Sequence, residues 1–308
     1  MQALLLDLLA RKTFQMPVST KKRLAWLLSG LTWNLLKLRR NYVTDTLIKQ
    51  LSLSRDEAEK LGRKTYYSFL LNAFEMAGLK LFSPHQLIDR VECEGLEHLK
   101  TALSHKKGAI IISGHFGLWE LVPSWLALNG FDVSIVVRRQ NNPEADRWME
   151  EMRQKHGPKT TDSGYSIREI LKSLRKGHIL ALMVDQDNGK QGIFVKFFND
   201  WASAPTGPAL ISLKTGAPIV PLAMFPDYNH KHQLKIFPPI MPQQFSNDPD
   251  GQQKLTARYT TILENLIRKQ PEQWFWLHRR WKTQPADAPD NQWVKIIKSS
   301  LTSDTQAS

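Results

Sequence analysis

The chain has 308 residues, 42% of them hydrophobic, enough to bury one large core or two modest ones. Its 42 Lys and Arg against 29 Asp and Glu leave a formal charge of +13, which narrows the expected partners to nucleic acid, an anionic membrane surface or acidic soluble molecules. The single cysteine, Cys93, excludes an intrachain disulfide, and its surroundings offer no metal-binding or nucleophilic context.

Residues 1–42 carry Arg11, Lys12, Lys21, Lys22, Arg23, Lys37, Arg39 and Arg40 against the single acid Asp7. The first ten residues lack the basic start and cleavage site of a secretory signal. Between the basic clusters, residues 24–38 form an apolar segment containing Trp26, Trp33 and Asn34. Its apolar stretch, about 14 residues, is shorter than the roughly 20 that a membrane span requires. The composition predicts a helix lying at a membrane interface; a helix packed on the protein's own core also fits. No nucleic-acid-binding motif accompanies the charge, so nucleic acid is not an expected partner.

Next comes a capping box at Ser54 and Glu57, predicting a helix that runs to about residue 80 with Leu61, Tyr66, Phe69, Leu70, Ala73 and Ala77 on its core side. A short helix is expected over 95–105. The following segment, GAIIISGHFGLWE at residues 108–120, reads as a buried strand broken by Ser113 and Gly114 before a helix. It sets His115 and Glu120 five positions apart. On a regular helix that separation turns the side chains apart by roughly 140°, so the two meet only if His115 lies in the turn and Glu120 opens the helix.

Further strands are predicted over 131–137, 179–184, 193–198 and 219–225, with 233–237 antiparallel to the last. Helices are predicted from Asn142 and Pro143, over 166–175, 205–215 and 251–269. Strands alternating with helices predict an α/β fold with a largely parallel central sheet flanked by helices, plus a helical N-terminal membrane-associating region. The expected organisation is residues 1–42 as the membrane-associating region, 43–285 as the catalytic domain and 286–308 as a polar tail, with a short helix over 293–301 and disorder from 302.

An imidazole held by a carboxylate at the end of a strand suits general-base work. Asp185 follows another predicted strand, so both motifs face the crevice beyond the carboxyl ends of the sheet. Asp185 and Asp187 alternate without a companion His or Cys, which points to holding the turn at Asn188 and Gly189 and orienting nearby basic groups, and no metal is expected. Arg153 by itself reads as a solvated residue on a charged helix. Lys196, Arg279, Arg280 and Lys282 are candidates for receiving phosphates. The interleaved Trp274, Trp276 and Trp281 fit either the core or an interfacial belt.

Four blocks stand in an order that resembles one family: HFGLWE at 115–120, DQDNGKQGIFVKFF at 185–198, TGPALISLKTGAPIVP at 206–221 and PEQWFWLHRRWKTQP at 271–285. With these, residues 20–285 resemble the late acyltransferases of lipid A biosynthesis, the lauroyl and myristoyl transferase group of the lysophospholipid acyltransferase superfamily. The resemblance implies transfer of a fatty acyl group from a thioester to a hydroxyl of a glycolipid, without a cofactor or a covalent acyl-enzyme. His115 is then the general base, oriented by Glu120. Arg153, Asp185, Asp187, Arg279 and Arg280 fall in the substrate-binding part, with Arg153 implied to stabilise the thioester oxyanion or hold an acceptor phosphate. The implied partners are acyl carrier protein or a coenzyme A thioester, a lipid A precursor and an anionic membrane, at the cytoplasmic face of the bacterial inner membrane. The same chemistry on a lysophospholipid, ornithine lipid or glycosyl lipid is the alternative, as is a lipid-binding protein without turnover.

Overall fold

The computed structural model describes residues 2–162 and 167–285; the expectations for residues 286–308 lie outside them. Two helices not separated by sequence patterning begin the chain. α1 (Gln2–Gln15) buries Ala10 and Thr13, and α2 (Val18–Gly30) buries Lys21, Ala25 and Ser29, a stripe at four-residue spacing. α2 runs into a single π-turn, Leu31–Leu35, whose Trp33 is fully buried. Trp33 needs Gly62 beneath it: a Cβ there would come within 2.2 Å of the indole. α3 (Arg40–Leu51) and α4 (Arg55–Ala77) follow, and Ser54 and Glu57 form the capping box expected at the start of α4.

The N-terminal region therefore has two faces. One packs on the protein's own core. The other is open: among the described residues, every exposed large apolar side chain except Ile88 lies between Leu4 and Leu38, with Trp26 67% and Leu35 73% exposed. No described helix is long and apolar enough to cross a membrane.

α5 (Pro84–Asp89) leads into β1 (Val91–Glu94), then α6 (Leu96–Ser104), β2 (Ala109–Ser113), α7 (Leu121–Leu128), β3 (Val133–Val137), α8 (Pro143–Gln154), β4 (Lys159–Asp162), α9 (Ile167–Arg175) and β5 (Ile179–Met183). β6 (Ile193–Phe197) and β7 (Asp200–Ala204) make a separate antiparallel hairpin. α10 (Gly207–Thr215), β8 (Ile219–Phe225), β9 (His232–Ile236) and α11 (Gly251–Lys269) complete the chain order.

Seven strands form one sheet in the order β1-β9-β8-β2-β5-β3-β4. β8, β2, β5, β3 and β4 are mutually parallel, while β9 runs antiparallel to β8 and β1 parallels β9. β2 is central and buried along its whole length. Its Ile110 and Ile112 point into a core shared with Leu255, Tyr259 and Leu263 of α11, whereas Ile111 points into the core beneath α6 and α7. Helices thus cover both faces, which is what an apolar parallel strand demands.

A buried ion cluster holds α2 to this body. Glu75 of α4, 1% exposed, receives Lys21 of α2 at 3.1 Å and Arg90 at 2.7 Å, with His232 of β9 at 3.7 Å. Burial pushes the Glu75 carboxyl up, but His232, Arg90 and Lys21 together outweigh it and hold it at about 2.

Candidate active site

The register of the central strands builds the site. Ser113 of β2 pairs with Met183 of β5. Two residues further along each chain stand His115 and Asp185, so parallel pairing carries both to the same end of the sheet. His115 Nδ1 lies 2.8 Å from Asp185 Oδ1, and the His115 main-chain N–H donates to Oδ2 at 2.7 Å. The indole N–H of Trp274 donates to that same Oδ2 at 2.9 Å. A carboxylate accepting on both oxygens makes Nδ1 the donor and leaves Nε2 as the basic nitrogen.

Asp185 is 3% exposed and His115 23%. Burial alone would raise the Asp185 pKa; the imidazole charge and the three hydrogen bonds hold it instead at about 2. Burial likewise works against a charged imidazole, yet the Asp185 charge and hydrogen bond, helped by Glu120 and opposed by Arg153, set the His115 pKa above its ordinary value. The edge of Trp119 meets the imidazole at 5.2 Å between ring centres.

The turn under His115 is fixed by main-chain contacts. Phe116 bridges Trp274, Gly117 bridges Met224, and Phe275 N–H donates to the His115 carbonyl at 3.1 Å. Gly117 adopts φ +57°, and a Cβ there would meet the Met224 carbonyl at 2.0 Å. At Gly114 an added Cβ would press on the Asp185 carboxylate at 3.1 Å.

The carboxylate on His115 is therefore Asp185, in place of the Glu120 expected from local spacing. Glu120 does open α7, as its N-cap, but its side chain is taken by Arg153 of α8. The guanidinium grips it with two bonds, Nε to Oε2 at 2.9 Å and Nη2 to Oε1 at 2.6 Å. Arg153 thus stands in the site as the partner of Glu120.

Asp187 also lies here. It accepts from Gly189 N–H at 3.2 Å and from the Thr283 hydroxyl at 2.9 Å, tying the turn to the C-terminal segment. Arg280 does not reach the cleft: it is 1% exposed, donates to the Ser203 carbonyl and stacks over Phe197. Burial brings its pKa down to about 10 against the pull of Asp185 and Asp187. Arg279 is absent from the cleft wall, and its Nε is buried without a partner. Arg280 departs from the phosphate-receiving role because it is folded inward with Trp274, Trp276 and Trp281, each at most 1% exposed, whereas Arg279 is half-buried. The tryptophans are core, and Trp274 is also a ligand of Asp185.

His115, Trp119, Glu120, Arg153 and Asp187 line a cleft of about 930 Å³. Its inner wall is apolar. Ile111, Ala181 and Ile135 form one cross-strand row on the sheet, faced by Val122 and Pro123 of α7. Arg138, at the end of β3, lines the rim; its position just beyond a strand was the available sequence signal. A basic nitrogen at the mouth of an apolar-walled cleft can remove a proton from a hydroxyl while a long apolar group lies alongside.

Sequence comparison gives the family of the chain. A family model described as bacterial lipid A biosynthesis acyltransferase matches residues 20–283, and the chain belongs to that family. It is an O-acyltransferase. Over 241 residues it is 28% identical to a lipid A biosynthesis lauroyltransferase of Escherichia coli K12, covering 77% of this chain and 76% of the relative. A lipid A biosynthesis palmitoleoyltransferase of the same organism is 27% identical, with 75% and 74% covered. A phosphatidylinositol mannoside acyltransferase of Mycolicibacterium smegmatis is 24% identical, covering 54% and 55%. Among solved structures, a 1-acyl-sn-glycerophosphate acyltransferase from Thermotoga maritima aligns with TM-score 0.38 and 17% identity, covering 77% of this chain and 96% of that one.

Proposed function

We propose that the protein moves a fatty acyl group from acyl carrier protein, or a coenzyme A thioester, to a hydroxyl of a lipid A precursor. The observation that carries this reading is the His115–Asp185 pair at the mouth of an apolar-walled cleft. In this mechanism His115 Nε2 takes the proton as the acceptor oxygen attacks the thioester carbonyl carbon. Asp185 holds the tautomer and stabilises the imidazolium. The C–S bond then breaks, and the thiolate leaves with the proton that His115 returns. The acyl chain runs along Ile111, Ala181 and Ile135. The Glu120–Arg153 clamp fixes the α7–α8 side of the cleft.

The reaction is placed at the cytoplasmic face of the bacterial inner membrane. The exposed apolar side chains of residues 4–38, with Arg11, Lys12, Lys22, Arg23 and Lys37 in the same region, support seating on an anionic surface without a span. The mycobacterial relative, named for a different glycolipid, favours as second reading the same chemistry on another glycolipid acceptor.

Purified protein is to be incubated with acyl carrier protein thioester and a lipid A precursor and followed by mass spectrometry. The expected product is heavier by one acyl group and disappears with His115→Ala. Product formation only with another glycolipid would select the second reading; none with any donor or acceptor would remove acyl transfer. For the membrane, liposome flotation over a salt series should show a salt-sensitive part lost on replacing the basic residues and a salt-insensitive part lost on replacing Trp26, Leu27, Leu31 and Leu35 by Ser. Unchanged flotation of both variants would move the contact elsewhere.

A further inference from the structure

The charged side chains of the cleft can be paired one by one. His115 is held by Asp185 at 2.8 Å, and Arg153 by Glu120 through two bonds. Arg139, following β3, reaches Asp146 at 3.6 Å. The remaining carboxylate of the wall, Asp187, has Oδ1 on Thr283 N–H at 3.2 Å and Oδ2 on the Thr283 hydroxyl and Gly189 N–H. One cation is left. Arg138 lines the same cleft, is exposed, and has no hydrogen bond or ion pair among the described residues. It follows Val137, the last residue of β3, and so stands at the carboxyl edge of the sheet with His115 and Asp187.

We infer that Arg138 is a phosphate-binding residue of the cleft, anchoring a phosphate group of the substrate while the hydroxyl and the thioester meet at His115. The inference rests on the acyl-transfer reading and adds a ligand group to it. A planar guanidinium with its donors unspent matches phosphate oxygens in a bidentate fork. At a rim where every carboxylate is already committed, an anion meets no opposing charge. The phosphate has two sources in this chemistry. A phosphorylated glycolipid brings one on the acceptor, and a phosphopantetheine thioester brings one on the donor.

The test compares Arg138→Gln, Arg138→Lys and, as a charge control outside the cleft, Arg147→Gln, each in the full chain. Steady-state transfer is measured to a phosphorylated acyl-glucosamine disaccharide and to its dephosphorylated counterpart. Loss of a charge-assisted contact should raise KM for the phosphorylated acceptor roughly ten- to hundredfold, far more than it lowers kcat. KM for the dephosphorylated acceptor should change little, and Lys should restore part of the loss. A rise confined to the donor KM assigns the phosphate to the donor arm. No rise beyond that of Arg147→Gln, or equal rises for both acceptors with donor KM unchanged, overturns the inference.

A second arm needs no turnover. Equilibrium binding of both disaccharide forms, and of coenzyme A, is measured in the His115→Ala background. Phosphate-dependent affinity that Arg138→Gln removes supports the site even if no acyl transfer is found. Binding indifferent to both phosphate and Arg138 sinks it, whatever the protein's activity.

Discussion

Asp185 and Glu75 are two carboxylates of nearly the same burial, 3% and 1% exposed, each held at about 2 by cationic partners. They differ in what those partners can do next. Lys21, Arg90 and His232 close around Glu75 between α2, α4 and β9, and none of them lines the cleft. Asp185 holds an imidazole, a ring that can take up and release a proton and that lines a cleft. The lesson is that a depressed carboxylate marks an ion pair. Whether the pair is a fastener or a reaction centre depends on the partner's chemistry and on its access to space.

His115→Ala should separate the two most sharply. Turnover is expected to fall by about 10² to 10⁴-fold, since the base is removed, and thermal unfolding should also move to lower temperature, because Asp185, 3% exposed, loses its counter-charge. Acyl transfer beside a melting curve measures both; near-normal turnover in a folded protein would remove the proposed base.

Glu75→Gln should lower stability alone. Leaving Lys21, 5% exposed, without its counter-charge costs about 3 to 5 kcal/mol, the typical loss for breaking a buried pair. Activity per folded molecule should survive. The sign with pH follows from a depressed carboxyl: its contribution is present above the ordinary pKa of 4.5 and is lost as pH falls toward about 2. Urea unfolding of wild type over that window should therefore be steeper with pH than that of Glu75→Gln; identical slopes would deny the cluster its fastening role.

Asp185→Asn keeps the shape and removes the charge. We expect turnover lower by about 10²-fold or more. Because Asp185 is the main influence raising the His115 pKa, the acidic limb of kcat/KM should move to lower pH. A limb that stays in place would mean that another group sets it.

The smallest effect belongs to Glu120→Gln. Glu120 raises the His115 pKa less than Asp185 does, and Arg153 opposes it. A several-fold loss and a small shift of the same limb in the same direction are expected. If Glu120→Gln cost more than Asp185→Asn in a pH-rate series, the imidazole would have the wrong partner assigned.

Much of this arrangement was legible in the chain. Ala109 to Ser113 is too apolar to be anything but a buried strand, and the Ser113-Gly114 break told where His115 leaves it. Its partner was not legible from spacing. Asp185 lies 70 residues away, and only the Ser113–Met183 register brings it across. Glu120 was nearer in sequence, but nothing local announced that Arg153 would claim it. The strands missed were β1, β4 and β7: VECE, KTTD and DWASA are short and partly polar, without the apolar run that marks β2 or β8. Arg280 fits a phosphate-receiving residue by its type alone, and nothing local in the sequence shows it turned inward. Four neighbouring aromatic rings, those of Phe197, Trp274, Trp276 and Trp281, show how a tryptophan-rich segment draws it inside.

The turn carrying His115 is laced to its neighbours by main-chain groups, and one of its positions, Gly117, has no room for a side chain. The rim around Arg138 is exposed on a loop between β3 and α8. These two parts are open to change in very different degrees. In a library of variants, Gly117 should come through selection almost untouched, while residues 139–141 accumulate alternatives. The chemistry is inherited as a fixed part, and the choice of substrate can drift around it.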